Sequence, residues 1–310
     1  MRLSFSIVTP VYNRSDTIKR CIESVLSQDF LDFEHIIVDD GSTDNSFQIA
    51  QSYTTTDNRI KVFRFDKNKG TNAGRNFAIK KATKAFVIIL DSDDYFVENA
   101  LNSIVSTIKN NQSYKHYLFA ADDMMPSYNT NVLLNNQTNI LYYEQWLERA
   151  VSGDFIHVVE SSLMQSFPFN EFIRIFEGTN FLRIYRQGEK QLFTKEIITI
   201  RERGRDDSVT LTVMLTNKGA IEKSYLSLLQ RLEWFADDMV INNLKDILFK
   251  DSHAAIKLGL ALSNYKKVKD FCLQLNIKMN LIEKTIYKLR LGKLLQWSII
   301  SYYKYINKPQ

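Results

Sequence analysis

Carboxylates at the ends of apolar runs constrain this chain more than any other feature of its sequence. Phe5 to Val8 is a short apolar run that ends in Thr9-Pro10, His35 to Val38 ends in Asp39-Asp40-Gly41-Ser42, and Ala85 to Leu90 ends in Asp91-Ser92-Asp93-Asp94. The segments between have a different period. Ile18, Cys21, Ile22, Val25 and Leu26 fall at helical spacing, with Asp16 in the N-cap region. A second helix is predicted from about Asn45 to Tyr53, a strand from Ile60 to Phe65 and a helix from Asn72 to Thr83. Strand and helix alternating in this way require parallel strands joined by crossovers, so the predicted fold class is α/β, a doubly wound and mostly parallel sheet with flanking helices. Such sheets bind ligands beyond the carboxyl ends of their strands. That rule sends Thr9 to Arg14, Asp39 to Ser42 and Asp91 to Asp94 into one crevice.

Further along, the pattern predicts a helix from Val97 to Lys109, a strand from Tyr117 to Ala121 and an exposed loop over the Asn- and Ser-rich Pro126 to Thr138. Helices are predicted over Tyr143 to Ser152 and within Phe172 to Tyr185; Lys195 to Arg201 is strand-like, and Arg201 to Asp207 is a charged turn. Beyond Gly219 glycine is nearly absent, and Leu, Ile and Lys recur at helical spacing. The expected organisation is an α/β domain over residues 1–220 and a helical, basic and amphipathic C-terminal region over 221–310.

Composition serves mainly to exclude. At 45% hydrophobic and 24% charged, the 310 residues are neither disordered nor low in complexity. Cys21 and Cys272 lack the paired spacing of a metal or redox motif and are read as reduced core residues. No apolar stretch approaches the roughly 20 residues of a spanning helix, and Met1-Arg2 runs into the first strand without room for a secretion signal. A cytoplasmic location is expected.

Three carboxylates within Asp91 to Asp94 repel one another unless a cation intervenes or they face solvent as a capped turn. Magnesium or manganese, which take oxygen ligands and bridge carboxylates to phosphates, would supply the cation. Asp39-Asp40 at the adjacent strand end suit acceptors for a base or ribose, and Arg75 at the start of a helix suits a diphosphate. No G-x-G-x-x-G follows the first strand, which disfavours a dinucleotide-dependent dehydrogenase.

In order and spacing, Ile7-Val8-Thr9-Pro10-Val11-Tyr12-Asn13, Val38-Asp39-Asp40-Gly41-Ser42-Thr43-Asp44, Gly74-Arg75-Asn76 and Leu90-Asp91-Ser92-Asp93-Asp94 resemble the family 2 glycosyltransferases of GT-A fold. The resemblance implies an inverting transfer of a hexosyl or N-acetylhexosaminyl group from a nucleotide-diphosphate donor, usually a UDP-sugar, to a hydroxyl of a glycan acceptor. It implies a divalent metal, Mn2+ or Mg2+, held by Asp93 and Asp94. It places Pro10, Tyr12 and Asp40 at the base and ribose, Arg75 near the diphosphate or uracil, and Asp91 and Asp93 in the donor site. Members of the family commonly extend polyprenyl-diphosphate-linked sugars in capsule, lipopolysaccharide or related polysaccharide synthesis at the inner face of the membrane.

An inverting transfer needs a general base for the acceptor hydroxyl. In the family this is an acid that begins a helix in the second half of the domain, often as Glu-Asp. Glu177-Gly178, followed by Phe181 and Arg183, fits that pattern with the second acid replaced by glycine. Glu177 is therefore expected as the base and Glu171 is the competing candidate. Arg201, Arg203 and Arg205 offer charge for the diphosphate or form a solvated turn. No chemistry is expected of His35, His116, His157 or His253, which lack ligand spacing. Two other classes stand beside the enzyme reading: a nucleotide-sugar-binding protein without turnover, and a nucleotidyltransferase. The second would want a glycine-rich, lysine-containing loop after the first strand, and Thr9 to Arg14 supplies none.

Net charge is +5 over the chain, too small to imply nucleic acid unless concentrated. It is concentrated: residues 276–310 carry seven basic side chains against one acid, Glu283, for a net +6. Leu, Trp and Tyr are interleaved with them. Such a segment either lies on an anionic membrane surface, packs on the rest of the protein or closes a dimer.

Overall fold

The computed structural model describes residues 2–173, 177–202 and 215–306. It divides into two compact units, Met1–Arg203 and Gly204–Gln310. In the first, β1 (Phe5–Val11), β2 (Phe33–Asp39), β3 (Ile60–Arg64) and β4 (Phe86–Ile89) lie in the order β3-β2-β1-β4, all parallel. The crossovers α1 (Ile18–Leu26), α2 (Ser46–Tyr53) and α3 (Thr71–Lys81) fall where the periodicity predicts them.

Successive side chains of a strand point to opposite faces. Phe5, Ile7 and Val11 of β1, Ile37 of β2 and Ile88 of β4 share one core with Ile18, Cys21, Ile22 and Val25 of α1. Leu101, Ile104 and Ile108 of α4 (Ala100–Asn110) complete it. Each such side chain contributes about 1.5–3 kcal/mol by leaving water. α1 has no side-chain cap at its N-terminus, so this apolar stripe holds it. α3 lies against β1 and β2, and Gly74 permits the approach, because a Cβ there would stand 3.2 Å from the Cβ of Pro10.

The remaining strands depart from a purely parallel sheet. β5 (Tyr95–Phe96) and β7 (Thr138–Tyr142) run antiparallel to β9 (Lys190–Ile200), which is parallel to β6 (His116–Ala121). β8 (Phe155–Glu160) lies between β4 and β6, antiparallel to both. Two local expectations hold only in part. Pro126 to Thr138 is largely exposed but is not all loop: it includes most of α5 (Met125–Thr130), and Tyr128 and Leu134 within it are fully buried. The Tyr128 hydroxyl accepts the Ala121 N–H at 3.2 Å and donates to the Asp154 carbonyl. Within the segment Thr130 Oγ1 donates to the Ser127 carbonyl, and of its large apolar side chains Tyr128 and Leu134 enter the core while Val132 stays exposed. The helix expected over Tyr143 to Ser152 stops at Leu147 as α6 (Tyr143–Leu147), and Arg149 turns the chain at φ 61°. Two further helices, α7 (Ser161–Ser166) and α8 (Glu177–Gly188), complete the described part of this unit.

The second unit is helical, as expected: α9 (Lys218–Ile241), α10 (Lys245–Ala261), α11 (Tyr265–Gln274), α12 (Leu281–Lys288) and α13 (Gly292–Ile306). Ile221, Tyr225, Leu232, Leu258 and Ile299 form its core. Inside, Arg231 Nε pairs with Asp251 Oδ2 at 2.9 Å, both side chains nearly inaccessible.

Gly41 holds the turn after β2 at φ 74°, and a Cβ there would lie 2.9 Å from the carbonyl carbon of Lys67. Gly41→Ala should lower the unfolding free energy by roughly 1–3 kcal/mol, read as a reduced urea midpoint with unchanged slope. A midpoint equal to that of the parent would show the turn to be unstrained.

Candidate active site

The three loops beyond β1, β2 and β4 converge, and hydrogen bonds join them. After β1 the chain turns at Asn13, φ 52°. Its N–H donates to Ser42 Oγ at 3.0 Å, and its Oδ1 accepts the Thr43 N–H at 2.9 Å. The Arg14 N–H reaches Ser46 Oγ at 2.7 Å and the Ser15 N–H reaches Asp44 Oδ2 at 3.0 Å. Pro10 is buried beside Gly74, while Tyr12 is 41% exposed at the rim.

Asp39 and Asp40 are both buried and differently engaged. Asp40 accepts the backbone N–H groups of Lys69 at 2.6 Å and Gly70 at 2.7 Å, and so fixes the turn into α3. Asp39 Oδ1 accepts the Ser42 N–H at 3.1 Å and faces Arg64 Nε at 3.2 Å. Its Oδ2 is buried with no hydrogen-bond partner among the described residues.

In the third loop the Asp94 N–H closes a turn on the Asp91 carbonyl at 3.0 Å. Arg14 Nε stands 3.6 Å from Asp93 Oδ2. Burial first, and then the charges of Asp91 and Asp93, push the Asp94 carboxyl up to about 8. Among the described residues no three His, Cys, Asp or Glu side chains form a metal site by themselves. The crowded oxygen donors nevertheless fit a hard divalent cation, whose charge would relieve the repulsion that raises Asp94.

Arg75 ties this loop to the second half of the unit. From α3 its NH2 donates to Asp91 Oδ1 and its NH1 to Glu177 Oε1, each at 2.8 Å. Burial acts to lower its pKa, but Asp91 and Glu177 outweigh burial and hold the guanidinium firmly charged. Nε remains buried without a partner. The two carboxylates accept from different nitrogens of one guanidinium, although they stand 86 residues apart in sequence, at positions 91 and 177.

α3 presents Asn72, Arg75 and Asn76 on one face, at i, i+3 and i+4. Asn72 Nδ2 donates to the carbonyls of Asn170 at 2.9 Å and Ile173 at 3.3 Å. Asn76 donates to the Phe169 carbonyl at 2.9 Å and accepts the Phe169 N–H at 2.8 Å. Its Nδ2 also reaches Glu171 Oε1 at 3.0 Å, which places the competing acid on the same helix face as Arg75. The two asparagines were not foreseen as site residues. The signal was their spacing from Arg75, because a buried polar side chain on a helix needs a partner.

The histidines also have structural work that ligand spacing did not suggest. His116 of β6 and His157 of β8 share a hydrogen bond at 3.0 Å. His157 stacks on Phe181 with ring centroids 3.8 Å apart, and His116 stacks on Tyr185 at 5.3 Å. Phe181 and Tyr185 follow Glu177 on α8 at i+4 and i+8, so the pair seats the helix that presents Glu177. Burial lowers His116 to about 3; burial, then His116 and Arg75, drive His157 well below its usual value. The Arg201 guanidinium donates to Asp123 and Asp154, and its charge acts on Asp94 against the effects that raise it. Arg203 and Arg205 lie outside the described residues.

The family model for "Glycosyl transferase family 2" matches residues 6–151. The GalNAc(5)-diNAcBac-PP-undecaprenol beta-1,3-glucosyltransferase of Campylobacter jejuni is 30% identical over 233 residues, 74% of this chain and 74% of that protein. A UDP-Glc:alpha-D-GlcNAc-diphosphoundecaprenol beta-1,3-glucosyltransferase of Escherichia coli is 30% identical over 174 residues, 53% of this chain and 63% of that one. Among solved structures, S. aureus TarS 1–349 in complex with UDP-GlcNAc has a TM-score of 0.65 at 17% identity, covering 99% of this chain and 93% of its own.

Two outcomes follow from the geometry. Asn76→Ala should speed amide hydrogen exchange at Phe169 and its neighbours and cost about 1 kcal/mol per lost hydrogen bond; unchanged protection at Phe169 would mean the segment is held by other contacts. His35, also lowered to about 3 by burial, joins His116 and His157 as a group protonated near 6.5 in the unfolded chain and neutral in the fold. Their depressed folded values mean that stability present above pH 6.5 is lost as pH falls. Asp94, raised in the fold, works in the opposite sense and offsets about one of them. A net loss of about 2 kcal/mol between pH 6.5 and 5.5 should appear in urea unfolding, and a midpoint that rises instead would contradict it.

Proposed function

The chain belongs to the family 2 glycosyltransferases and has a GT-A fold, and on that premise we propose that it is an inverting enzyme that moves a hexosyl or N-acetylhexosaminyl group from a UDP-sugar to a hydroxyl of a lipid-linked glycan. The observation that carries the reading is the Arg75 guanidinium shared by Asp91, beside the clustered carboxylates, and Glu177, at the start of α8. A donor site and an acceptor-side acid meet there, which is what a single displacement requires.

Pro10, Tyr12 and Asp40 serve the nucleoside end, Asp40 through the turn that it holds. The unpartnered Oδ2 of Asp39 is a buried acceptor that a base N–H would satisfy. Asp91 and Asp93 belong to the donor site, and Asp93 and Asp94 would hold Mn2+ or Mg2+. When bound, the ion would neutralise charge on the departing diphosphate. Glu177 takes the proton of the acceptor hydroxyl as its oxygen forms the bond to the anomeric carbon, and the bond from that carbon to the diphosphate breaks with its electron pair on the leaving group. Before the donor arrives, Arg75 occupies one oxygen of Glu177. The donor diphosphate competes for the same guanidinium and so frees the base when there is something to attack. Glu171, held by Asn76, has no link to the donor carboxylates among the described hydrogen bonds and ranks second.

Names of the relatives support a polyprenyl-diphosphate-linked acceptor. Such an acceptor keeps its lipid in the bilayer, so the proposed site of action is peripheral, at the inner face of the membrane, in capsule, lipopolysaccharide or related polysaccharide synthesis. Among the described residues no helix is long and apolar enough to cross a membrane.

Incubation with a panel of UDP-sugars and Mn2+ should release UDP slowly from one donor and thereby identify it. Glu177→Gln should lower transfer about 10²–10⁴-fold while UDP-sugar affinity, measured by calorimetry, stays within about threefold. Retained turnover would move the base to another residue, and loss of donor binding would make Glu177 a donor ligand instead.

A further inference from the structure

α13 is apolar on two sides. Its inner stripe, Leu295, Ile299 and Tyr303 at i, i+4 and i+8, packs into the core of the helical unit. Its outer stripe, Leu294, Trp297 and Tyr305, follows i, i+3 and i+11 and lies within about 80° of arc at 100° per residue. These three side chains are 60%, 69% and 77% exposed. An isolated exposed leucine needs no explanation, but a Leu-Trp-Tyr stripe along one helix does. On α12, Leu281 and Ile282 are likewise 80% and 72% exposed.

Among the described residues of 276–306 the exposed charged side chains have one sign. Lys293 and Lys304 flank the stripe on one side of α13, and Lys284, Lys288 and Arg290 are exposed on and after α12. Glu283, the single acid of residues 276–310, is turned inward: it is buried, accepts the Asn280 N–H at 2.8 Å and faces His253 Nδ1 at 2.7 Å. No carboxylate side chain follows it in the sequence. A second copy of the chain would meet this face with the same face in an isologous contact, lysine against lysine. A bilayer with anionic headgroups meets it with the opposite charge and with an apolar layer for Leu, Trp and Tyr.

We propose that the outer face of α12 and α13 docks the protein on an anionic lipid surface, with Leu294, Trp297 and Tyr305 inserted at the interface and the lysines on the headgroups. α13, at 15 residues, is about 22 Å long and lies in the plane of the membrane. The proposal names the surface that would serve the peripheral reading given above and rests on that reading for its purpose, but the docking itself needs neither donor nor acceptor.

The test is flotation of the full chain with phosphatidylglycerol-containing and with pure phosphatidylcholine vesicles, in the absence of nucleotide sugar. The expected result is flotation with the anionic vesicles only, weakened by salt. Leu294→Ala/Trp297→Ala/Tyr305→Ala should reduce it at least about tenfold, and Lys293→Glu/Lys304→Glu should remove the preference for anionic lipid. All five positions are exposed, and circular dichroism checks that the variants fold. Equal flotation of parent and triple variant, no flotation of the parent, or a concentration-dependent dimer that the triple substitution abolishes would each overturn the proposal. UDP release by the triple variant without lipid, unchanged from the parent, separates failure of docking from failure of the catalytic reading.

Discussion

One positive charge sits between two carboxylates that belong to different halves of the α/β unit. Arg75 reaches Asp91 at the end of β4 and Glu177 at the start of α8 with equal 2.8 Å contacts. The Asp91 side chain is 43% exposed and that of Glu177 29%, while the Arg75 side chain between them is 11% exposed. An arginine buried this far is tolerated only if its charge is compensated. The helix that carries it must therefore lie close against β1, and Gly74 provides that closeness. The rest of the site follows from where α3 is held: Asp40 fixes the turn into it, Pro10 lies beneath it, and Asn72 and Asn76 extend from it to the 169–173 segment.

Electrostatically the arrangement is balanced on one side and strained on the other. Asp91 and Glu177 share a cation, whereas Asp94 has burial and two like charges against it. A fold that tolerates such crowding at its open end gives up stability there, and the deep core of β1, β2 and α1 offsets the loss. The His116–His157 pair is a quieter constraint of the same kind. Two neutral rings beneath α8 give Phe181 and Tyr185 flat surfaces to stack on, and they add no charge under Arg75.

The parallel half of the sheet was legible because its strands contain short apolar runs, such as Ile36 to Val38 and Phe86 to Ile89, followed by polar clusters, and the rule for ligands at strand ends sent Pro10, Asp40 and Asp91 to one edge of the sheet. In the other half β6 and the end of β9 were read as strands, but β7 and β8 were not. β8 reads Phe-Ile-His-Val-Val-Glu, and its histidine and glutamate break the apolar pattern although His157 is stacked in the interior. Tyr128 was hidden in a polar segment, between Ser127 and Asn129. Asn72 and Asn76 were invisible as partners because an asparagine on a helix looks solvated until the chain it binds, roughly a hundred residues later, is in place. The basic tail was read correctly as helical, but sequence spacing did not tell which apolar side chains face inward: Ile299 is buried and Trp297, two positions away, is not.

The asparagine grips of α3 also set an order of assembly. Their partners lie 93–101 residues downstream, and β4 finds its neighbour β8 only after some seventy residues, since Phe86 pairs with Glu160. Contacts of such separation form late, because the loop they close must be ordered first. On a ribosome the strands β1 to β4 emerge with Asp39, Asp40, Asp91, Asp93 and Asp94 already present, yet the Asp91–Arg75–Glu177 bridge waits for the synthesis of α8. A chain interrupted before that point would carry all four of its sequence motifs and lack that bridge.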